Sequence, residues 1–213
     1  MFVLATFFRR RGSIQRTPSE PGPHWDPDQA LMLRFQGGDE EAFVQLYETY
    51  RDRIVAFTTR MMGSTSVGEE AAQDVFLKIY GARKRYQPTA RFSTYIYRVA
   101  TRHCLNLRDR HAFKKTSGGL DAERETGEES SPADETRKRE LREALQAALA
   151  KLPDTQRAAL VLVHYEGLSY RECAESLGVT ESAIKSMIHR ARSALTQLLD
   201  PELSQPMEFK HAM

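Results

Sequence analysis

The chain has 213 residues, of which 40% are hydrophobic and 28% charged, enough to bury one or two cores, and a formal net charge of only +2. No apolar run approaches the roughly 20 residues that cross a membrane, and the apolar start Met1 to Phe8 is followed by Arg9, Arg10 and Arg11, the reverse of a secretory signal. The two cysteines, Cys104 and Cys173, stand alone in helical patterns, so a disulfide framework is not indicated and a reducing cytoplasm is the expected compartment.

Residues 1–25 are rich in Arg, Ser, Pro and Gly without periodicity and read as a disordered tail. Asp26-Pro27 then predicts a helix start, with Leu31, Met32 and Phe35 on one face and Gly37-Gly38 as its end. Asp39 caps the next helix, where Phe43, Leu46, Tyr50, Ile54, Phe57 and Met61 recur at the 3.6-residue period until Gly63. Ser66-Val67-Gly68-Glu69 has the form of a capping box, opening a helix with Ala72, Val75, Phe76 and Ile79 on one side. Residues 83–91 read as a loop containing Pro88. A further helix over 92–110 then groups Phe92, Ile96, Val99, Ala100 and His103. No strand-like alternation appears, so the expected class is all-α.

The charge is unevenly spread. Residues 83–115 hold ten basic and one acidic side chain, net +9, whereas residues 116–136 hold one basic and seven acidic, net −6. The second stretch also carries Gly118-Gly119 and Ser130-Ser131-Pro132, the composition of a linker. Helical periodicity resumes with Leu141, Leu145, Ala148, Leu149 and Leu152 up to Pro153, followed by a second helix from Asp154 to about Tyr165. The expected organisation is thus a tail (1–25), a first helical domain (26–113), an acidic linker (114–136), a second helical domain (137–200) and a short tail (201–213).

Two stretches read as DNA-contacting surfaces. Ser169-Tyr170-Arg171-Glu172 is a capping box over Tyr170, Cys173, Ala174 and Leu177; Gly178 supplies a tight turn, Val179 is expected to pack inward, and Thr180 caps a second helix. That helix buries Ile184, Ile188, Ala191 and Leu195 and leaves Glu181, Ser182, Lys185, Ser186, His189, Arg190 and Arg192 outside. This is a helix-turn-helix with a polar, basic outer face suited to the major groove. In the front half, Tyr95, Arg98 and Arg102 follow helical spacing, flanked by Arg91, Arg108 and Arg110. Such a stripe suits phosphates, or unstacked bases resting on the aromatic ring, although ordinary packing of Tyr95 and Tyr97 explains the same pattern.

At this point the chain resembles a known family. Gly38-Asp39-Glu40-Glu41-Ala42-Phe43, Gln73-Asp74-Val75-Phe76-Leu77-Lys78 and Phe92-Ser93-Thr94-Tyr95-Ile96-Tyr97-Arg98 are similar to region two of bacterial RNA polymerase sigma factors. Leu152-Pro153, Gly167-Leu168-Ser169-Tyr170-Arg171-Glu172 and Ile184-Lys185-Ser186 with His189-Arg190-Ala191-Arg192 are similar to region four. The best match is the compact extracytoplasmic-function group, and it covers about two thirds of the chain in order.

The resemblance implies partners and roles. Glu70, Gln73, Asp74 and Phe76 would dock on the clamp helices of the largest polymerase subunits, with the flap region as a second contact for the back half. Arg91, Tyr95, Arg98 and Arg102 would engage the −10 element and hold an extruded base. Thr180, Glu181, Ser182, Lys185, Ser186, His189, Arg190 and Arg192 would read the −35 element. The acidic stretch from Asp121 to Glu135 would thread toward the RNA path, and an anti-sigma factor of unknown type would hold the protein inactive.

Three positions depart from the family pattern. Tyr95 stands where tryptophan is common, Arg102 where asparagine is frequent and Met187 where arginine is common, so the family's promoter consensus does not carry over. No covalent chemistry, cofactor, metal or small-molecule substrate is expected. The competing reading is a helix-turn-helix regulator that never docks on polymerase; an enzyme comes third, for want of a ligand cluster, phosphate loop or nucleophile arrangement.

Overall fold

A computed structural model describes residues 26–116 and 143–199. The N-terminal tail, residues 117–136 of the linker and the C-terminal tail of the sequence reading lie outside the described residues, and the helix expected to end at 110 continues to Thr116, into the start of the expected linker. Among these residues every regular element is helical: α1 (Pro27–Gln36), α2 (Glu40–Met62), α3 (Thr65–Ala82), a 3-10 turn (Arg83–Arg85), α4 (Phe92–Thr116), the helical residues 143–150 as α5, α6 (Asp154–His164), α7 (Tyr170–Leu177) and α8 (Glu181–Leu198).

Local chemistry starts and stops most of these helices. Asp26 accepts from the Gln29 N–H while the Gln29 side chain reaches back, a complete capping box with Pro27 at the first helical position. Asp39 caps α2, and Gly63 ends it at φ +78°, a left-handed conformation that glycine adopts without strain. The start of α3 differs from expectation. Ser64, not Ser66, is its cap, because Ser64 is the extended residue directly after the Gly63 turn and its hydroxyl accepts from Val67 N–H at 3.5 Å.

The front bundle packs α1, α3 and α4 around α2. Its core is unusually aromatic. Phe35 stacks on Phe43 at 4.7 Å, Tyr50 meets Phe92 edge-on at 5.3 Å, and Phe57 meets Tyr97 at 5.5 Å. Each fully buried ring contributes about 1.5–3 kcal/mol of transfer energy, comparable to each of the buried aliphatic side chains Met32, Leu46, Ile54 and Met61 packed with them. In the back bundle α6 packs on α8 and α7 on both, over Leu162, Cys173, Ile184 and Ala191.

The two bundles also pack against each other, α4 on α7 and α2 on α6, and their buried apolar residues form one continuous cluster. Arg157, wholly buried, crosses this seam by donating to the Met61 carbonyl at 2.7 Å.

Candidate nucleic-acid and polymerase interfaces

On α4, Tyr95 sits half-buried rather than fully exposed on the predicted stripe. Its ring lies 5.0 Å from Tyr86 and 6.0 Å from Phe92, with the Arg98 guanidinium 5.7 Å above it. Burial pushes the Tyr95 phenol up, and the charges of Arg98 and Arg85 pull against it. Arg85 therefore lies within electrostatic reach of the ring. Tyr86 and Arg85 are the members of this site that periodicity missed, because both lie within the proline-containing stretch 83–91, where no α-helical spacing operates. Tyr86 is 5% exposed and its hydroxyl has no hydrogen-bond partner.

Arg98 and Arg102 are exposed, as a phosphate-binding stripe requires. Arg91 is exposed too, but its guanidinium pairs with Glu172 of α7 at 3.5 Å. It therefore faces the seam between the bundles. Tyr97, adjacent to this stripe in sequence, is 0% exposed and belongs to the core.

On α3, Glu70 and Gln73 are exposed and Asp74 is half-buried, its carboxylate 3.2 Å from His103 Nε2 of α4. Burial, then the neighbouring Lys78 charge, holds the His103 pKa below its ordinary value against the opposing pull of Asp74. Phe76 does not join this face. It is 5% exposed and its ring meets Tyr47 at 4.8 Å, because it continues the buried stripe of Ala72, Val75 and Ile79. The apolar side chain that does stand on the outer face is Leu77, 59% exposed and one turn beyond Gln73. A polar rim around an exposed leucine is the composition of a protein-docking surface.

In the back bundle the predicted helix-turn-helix is present. Ser169 and Glu172 form the reciprocal capping box of α7, Gly178 turns at φ +69°, and Thr180 accepts from the Ala183 N–H at 3.2 Å to start α8. Val179 lies 37% exposed in the turn and does not pack inward as expected. Glu181, Ser182, Lys185, Ser186, His189 and Arg190 all face outward, and Lys185, Ser186, His189 and Arg190 line a shallow concavity of about 400 Å³.

Arg192 departs from that group. It is partly buried, and its Nη2 donates to His164 Nε2 of α6 at 2.7 Å. It ties α8 to α6, and it is the least exposed member of the expected set of groove contacts.

Comparison with known proteins matches this geometry. The family model for Sigma-70 region 2 matches residues 46–113, and that for Sigma-70 region 4 matches residues 142–195. The ECF RNA polymerase sigma factor SigW of Bacillus subtilis is 32% identical over 173 residues, covering 76% of this chain and 91% of that one. The chain belongs to the extracytoplasmic-function RNA polymerase sigma factors.

The ECF RNA polymerase sigma-E factor of Escherichia coli strain K12 is 30% identical over 182 residues, 82% of this chain and 95% of that one. Among solved structures, CnrH in complex with the cytosolic domain of CnrY aligns with TM-score 0.62 and 26% identity over 82% of this chain and 98% of that one. The sigma factor RpoE of Bartonella quintana, in complex with the anti-sigma factor NepR, aligns with TM-score 0.59 over 73% and 95%; at 19% identity it supports the fold alone. As a sigma factor this chain directs promoter-specific transcription initiation by RNA polymerase, and its family is not a family of enzymes. Among the described residues, no helix is long and apolar enough to cross a membrane and no cluster of metal-ligating side chains occurs.

Proposed function

We propose that this sigma factor divides its work among three surfaces on two bundles. The front bundle (26–113) docks on core polymerase through Glu70, Gln73, Asp74 and Leu77 of α3. On α4, Tyr95, Arg98 and Arg102, supported by Tyr86 and Arg85, hold the −10 element, and Arg91 joins them once freed from Glu172. In the back bundle (137–200), Thr180 to Arg190 of α8 read the −35 element. The observation that carries this reading is the order of the matches, region 2 over the basic helix and region 4 over the helix-turn-helix, on one chain. The acidic stretch from Asp121 to Glu135 threads toward the RNA path, where an anionic peptide occupies a channel made for an anionic strand. CnrH was captured with the cytosolic domain of CnrY, and an anti-sigma factor, as the family resemblance implies, is the expected regulator here.

Reconstitution tests the reading directly. Purified chain mixed with core polymerase should support run-off transcription from a promoter library; a chain that binds promoter duplex yet never enters the polymerase would be a plain helix-turn-helix regulator.

Two substitutions separate the surfaces. Leu77→Asp should weaken core binding by tenfold or more, since truncating a docking hot spot costs about 2 kcal/mol or above, while thermal stability stays unchanged because the side chain is 59% exposed. Fluorescence anisotropy with labelled chain measures the first and calorimetry the second. Tyr95→Ala should impair strand opening more than duplex binding, because stacking of one base on an aromatic ring contributes about 1–3 kcal/mol. Permanganate reactivity of unpaired thymines should fall while band-shift affinity holds; a parallel loss of both would remove the base-holding role.

A further inference from the structure

The stretch that carries Arg85 and Tyr86 to the surface assigned above to the −10 element has little backbone structure of its own. The Tyr86 N–H donates to the Arg83 carbonyl at 3.2 Å and the Thr89 N–H to the Gln87 carbonyl at 2.9 Å. Pro88 has no N–H to add. Much of what fixes residues 84–92 comes instead from α1, which lies upstream of the residues 46–113 matched by the region 2 family model.

Gln36, the last residue of α1, donates from Nε2 to the Tyr86 carbonyl at 3.0 Å and to the Lys84 carbonyl at 3.3 Å. Gln29, in the first turn, donates from Nε2 to the Ala90 carbonyl at 2.5 Å. Asp26, the cap of α1, accepts from the Phe92 N–H at 3.3 Å and so fixes the start of α4. The Arg83 guanidinium adds a packing contact, 5.6 Å from the centre of the Phe35 ring. Two helical turns, about 10 Å of rise, separate the glutamines, so α1 lies along the loop and holds it near both ends. The helix is itself secured to α2, where the Tyr50 hydroxyl donates to the Asp28 carboxylate at 2.6 Å.

The Gln29 side chain is buried and uses both ends of its amide. Oε1 accepts from the Asp26 N–H at 3.3 Å, closing the capping box, while Nε2 reaches Ala90. A glutamate closes such a box equally well. Capping therefore does not require an amide here; the donor to Ala90 does. Anchored at 84, 86, 90 and 92, the loop presents Arg85 and the Tyr86–Tyr95 ring pair in one arrangement. Released, it samples several, and apparent affinity for a ligand of that arrangement drops in proportion to the competent fraction.

We propose that α1 is a brace for the −10 loop, with Gln29 and Gln36 as positioning residues that fix Lys84, Tyr86 and Ala90 and so hold Arg85, Tyr86 and Tyr95 ready for the melted strand. The inference rests on the −10 assignment made above, and one arm of its test is read without DNA.

Gln29→Glu keeps the capping acceptor and removes the donor to Ala90; Gln36→Met removes the donor to Lys84 and Tyr86 at nearly constant volume. Hydrogen–deuterium exchange on the full chain reads the brace itself. The Tyr86, Thr89 and Phe92 amides should exchange faster in each variant, with α3 unchanged. The second arm uses holoenzyme and a promoter that the wild-type chain selects from the run-off library. Affinity for a labelled single strand carrying its −10 element should fall about three- to tenfold per variant, the factor that one net hydrogen bond contributes. Core affinity and melting temperature should hold.

The Gln29→Glu loss should also reverse in acid. Asp26, Asp28, Glu166 and Glu172 line the cleft around position 29, against Arg53 and Arg91. That acidic balance, with burial, favours the neutral carboxyl, which donates to Ala90 as the amide does. Relative to wild type, affinity should therefore recover as the pH falls from about 8 to about 5.5, a response that a general folding defect does not give. Wild-type exchange rates over 84–92 in both variants, single-strand affinity held within twofold, or a loss that only follows core affinity would each overturn the brace. A wild-type chain that selects no promoter would instead sink the sigma-factor reading, with exchange still deciding whether α1 holds the loop.

Discussion

Arg157→Ala should lower the stability of the back bundle by about 3–5 kcal/mol, since each buried acceptor that loses its donor costs about 1–3 kcal/mol and the truncation adds a cavity. The side chain is 0% exposed, yet every direction of its guanidinium is met. Nε donates to the Leu149 carbonyl at 2.6 Å, Nη2 to Ala150 at 2.7 Å and Leu152 at 2.9 Å, and Nη1 to Met61 at 2.7 Å. Three of these acceptors are carbonyls at or just past the end of α5, whose partial negative charge a cation complements, and Leu149 alone of them also accepts from a backbone N–H, that of Leu152. Burial, then the nearby Arg108 charge, lowers the Arg157 pKa to about 10, so the group remains cationic at neutral pH. Alanine would take this donor from the Ala150 and Leu152 carbonyls, while Leu149 keeps the Leu152 N–H and Met61 keeps Arg108, and it would leave a cavity. Lysine would retain the charge, but three donors on a point ammonium do not reproduce the planar fork, so an intermediate loss is expected. Urea unfolding followed by circular dichroism measures both variants, and a loss under about 1 kcal/mol for alanine would mean that water or repacking satisfies those carbonyls.

Most helix boundaries were legible in the sequence because caps are local. Asp26, Asp39, Gly63, Ser169, Gly178 and Thr180 each act within four residues of themselves, and all six do what their spacing implies. The start of α3 was misread because Ser64 and Ser66 are both plausible caps, and the turn at Gly63, a feature of the preceding helix, selects between them. The recognition helix was legible on its outer face up to Arg190. Arg192 was not, since its partner His164 lies 28 positions away on α6.

Phe76 shows a different kind of error. The period that places Ala72, Val75 and Ile79 inward also places Phe76 inward, so the same residue was asked to serve the core and the docking face. Burial settles the conflict in favour of the core and leaves Leu77 as the exposed apolar group. The seam was not legible at all. Tyr97 and Glu166 are 69 positions apart, Met61 and Arg157 are 96 apart, and neither pair has a periodicity or spacing that announces it. Long-range polar pairing is a product of the tertiary fold, and a chain read as two independent bundles gives no reason to look for it.

Gly68→Ala carries the other large expected effect, and its sign depends on which of two opposing terms wins. In a helix interior alanine is favoured over glycine by about 1 kcal/mol. At position 68 of α3, however, an added Cβ would sit 2.4 Å from Thr59 Oγ1, 2.6 Å from Thr59 Cα and 2.7 Å from Thr59 N of α2. Two of those atoms are backbone, so no rotamer change relieves the contact. The helices are also held at this crossing, since Thr58 Oγ1 lies 2.7 Å from the Gly68 carbonyl and the Gly63-Ser64 turn joins them five residues earlier. Overpacking that forces backbone shifts costs about 1–3 kcal/mol and occasionally more, so the clash should exceed the propensity gain and leave a net loss of about 2 kcal/mol. Gly81, in the last turn of the same helix, has nothing within 4 Å of its added Cβ, and Gly81→Ala should therefore stabilise by up to about 1 kcal/mol. Opposite shifts in melting temperature for the two alanines would establish the close approach. Because Glu70 and Gln73 ride on α3 just beyond the crossing, Gly68→Ala should also weaken core polymerase binding, whereas a Gly68→Ala chain as stable as its Gly81→Ala counterpart would show that α2 and α3 do not meet this closely.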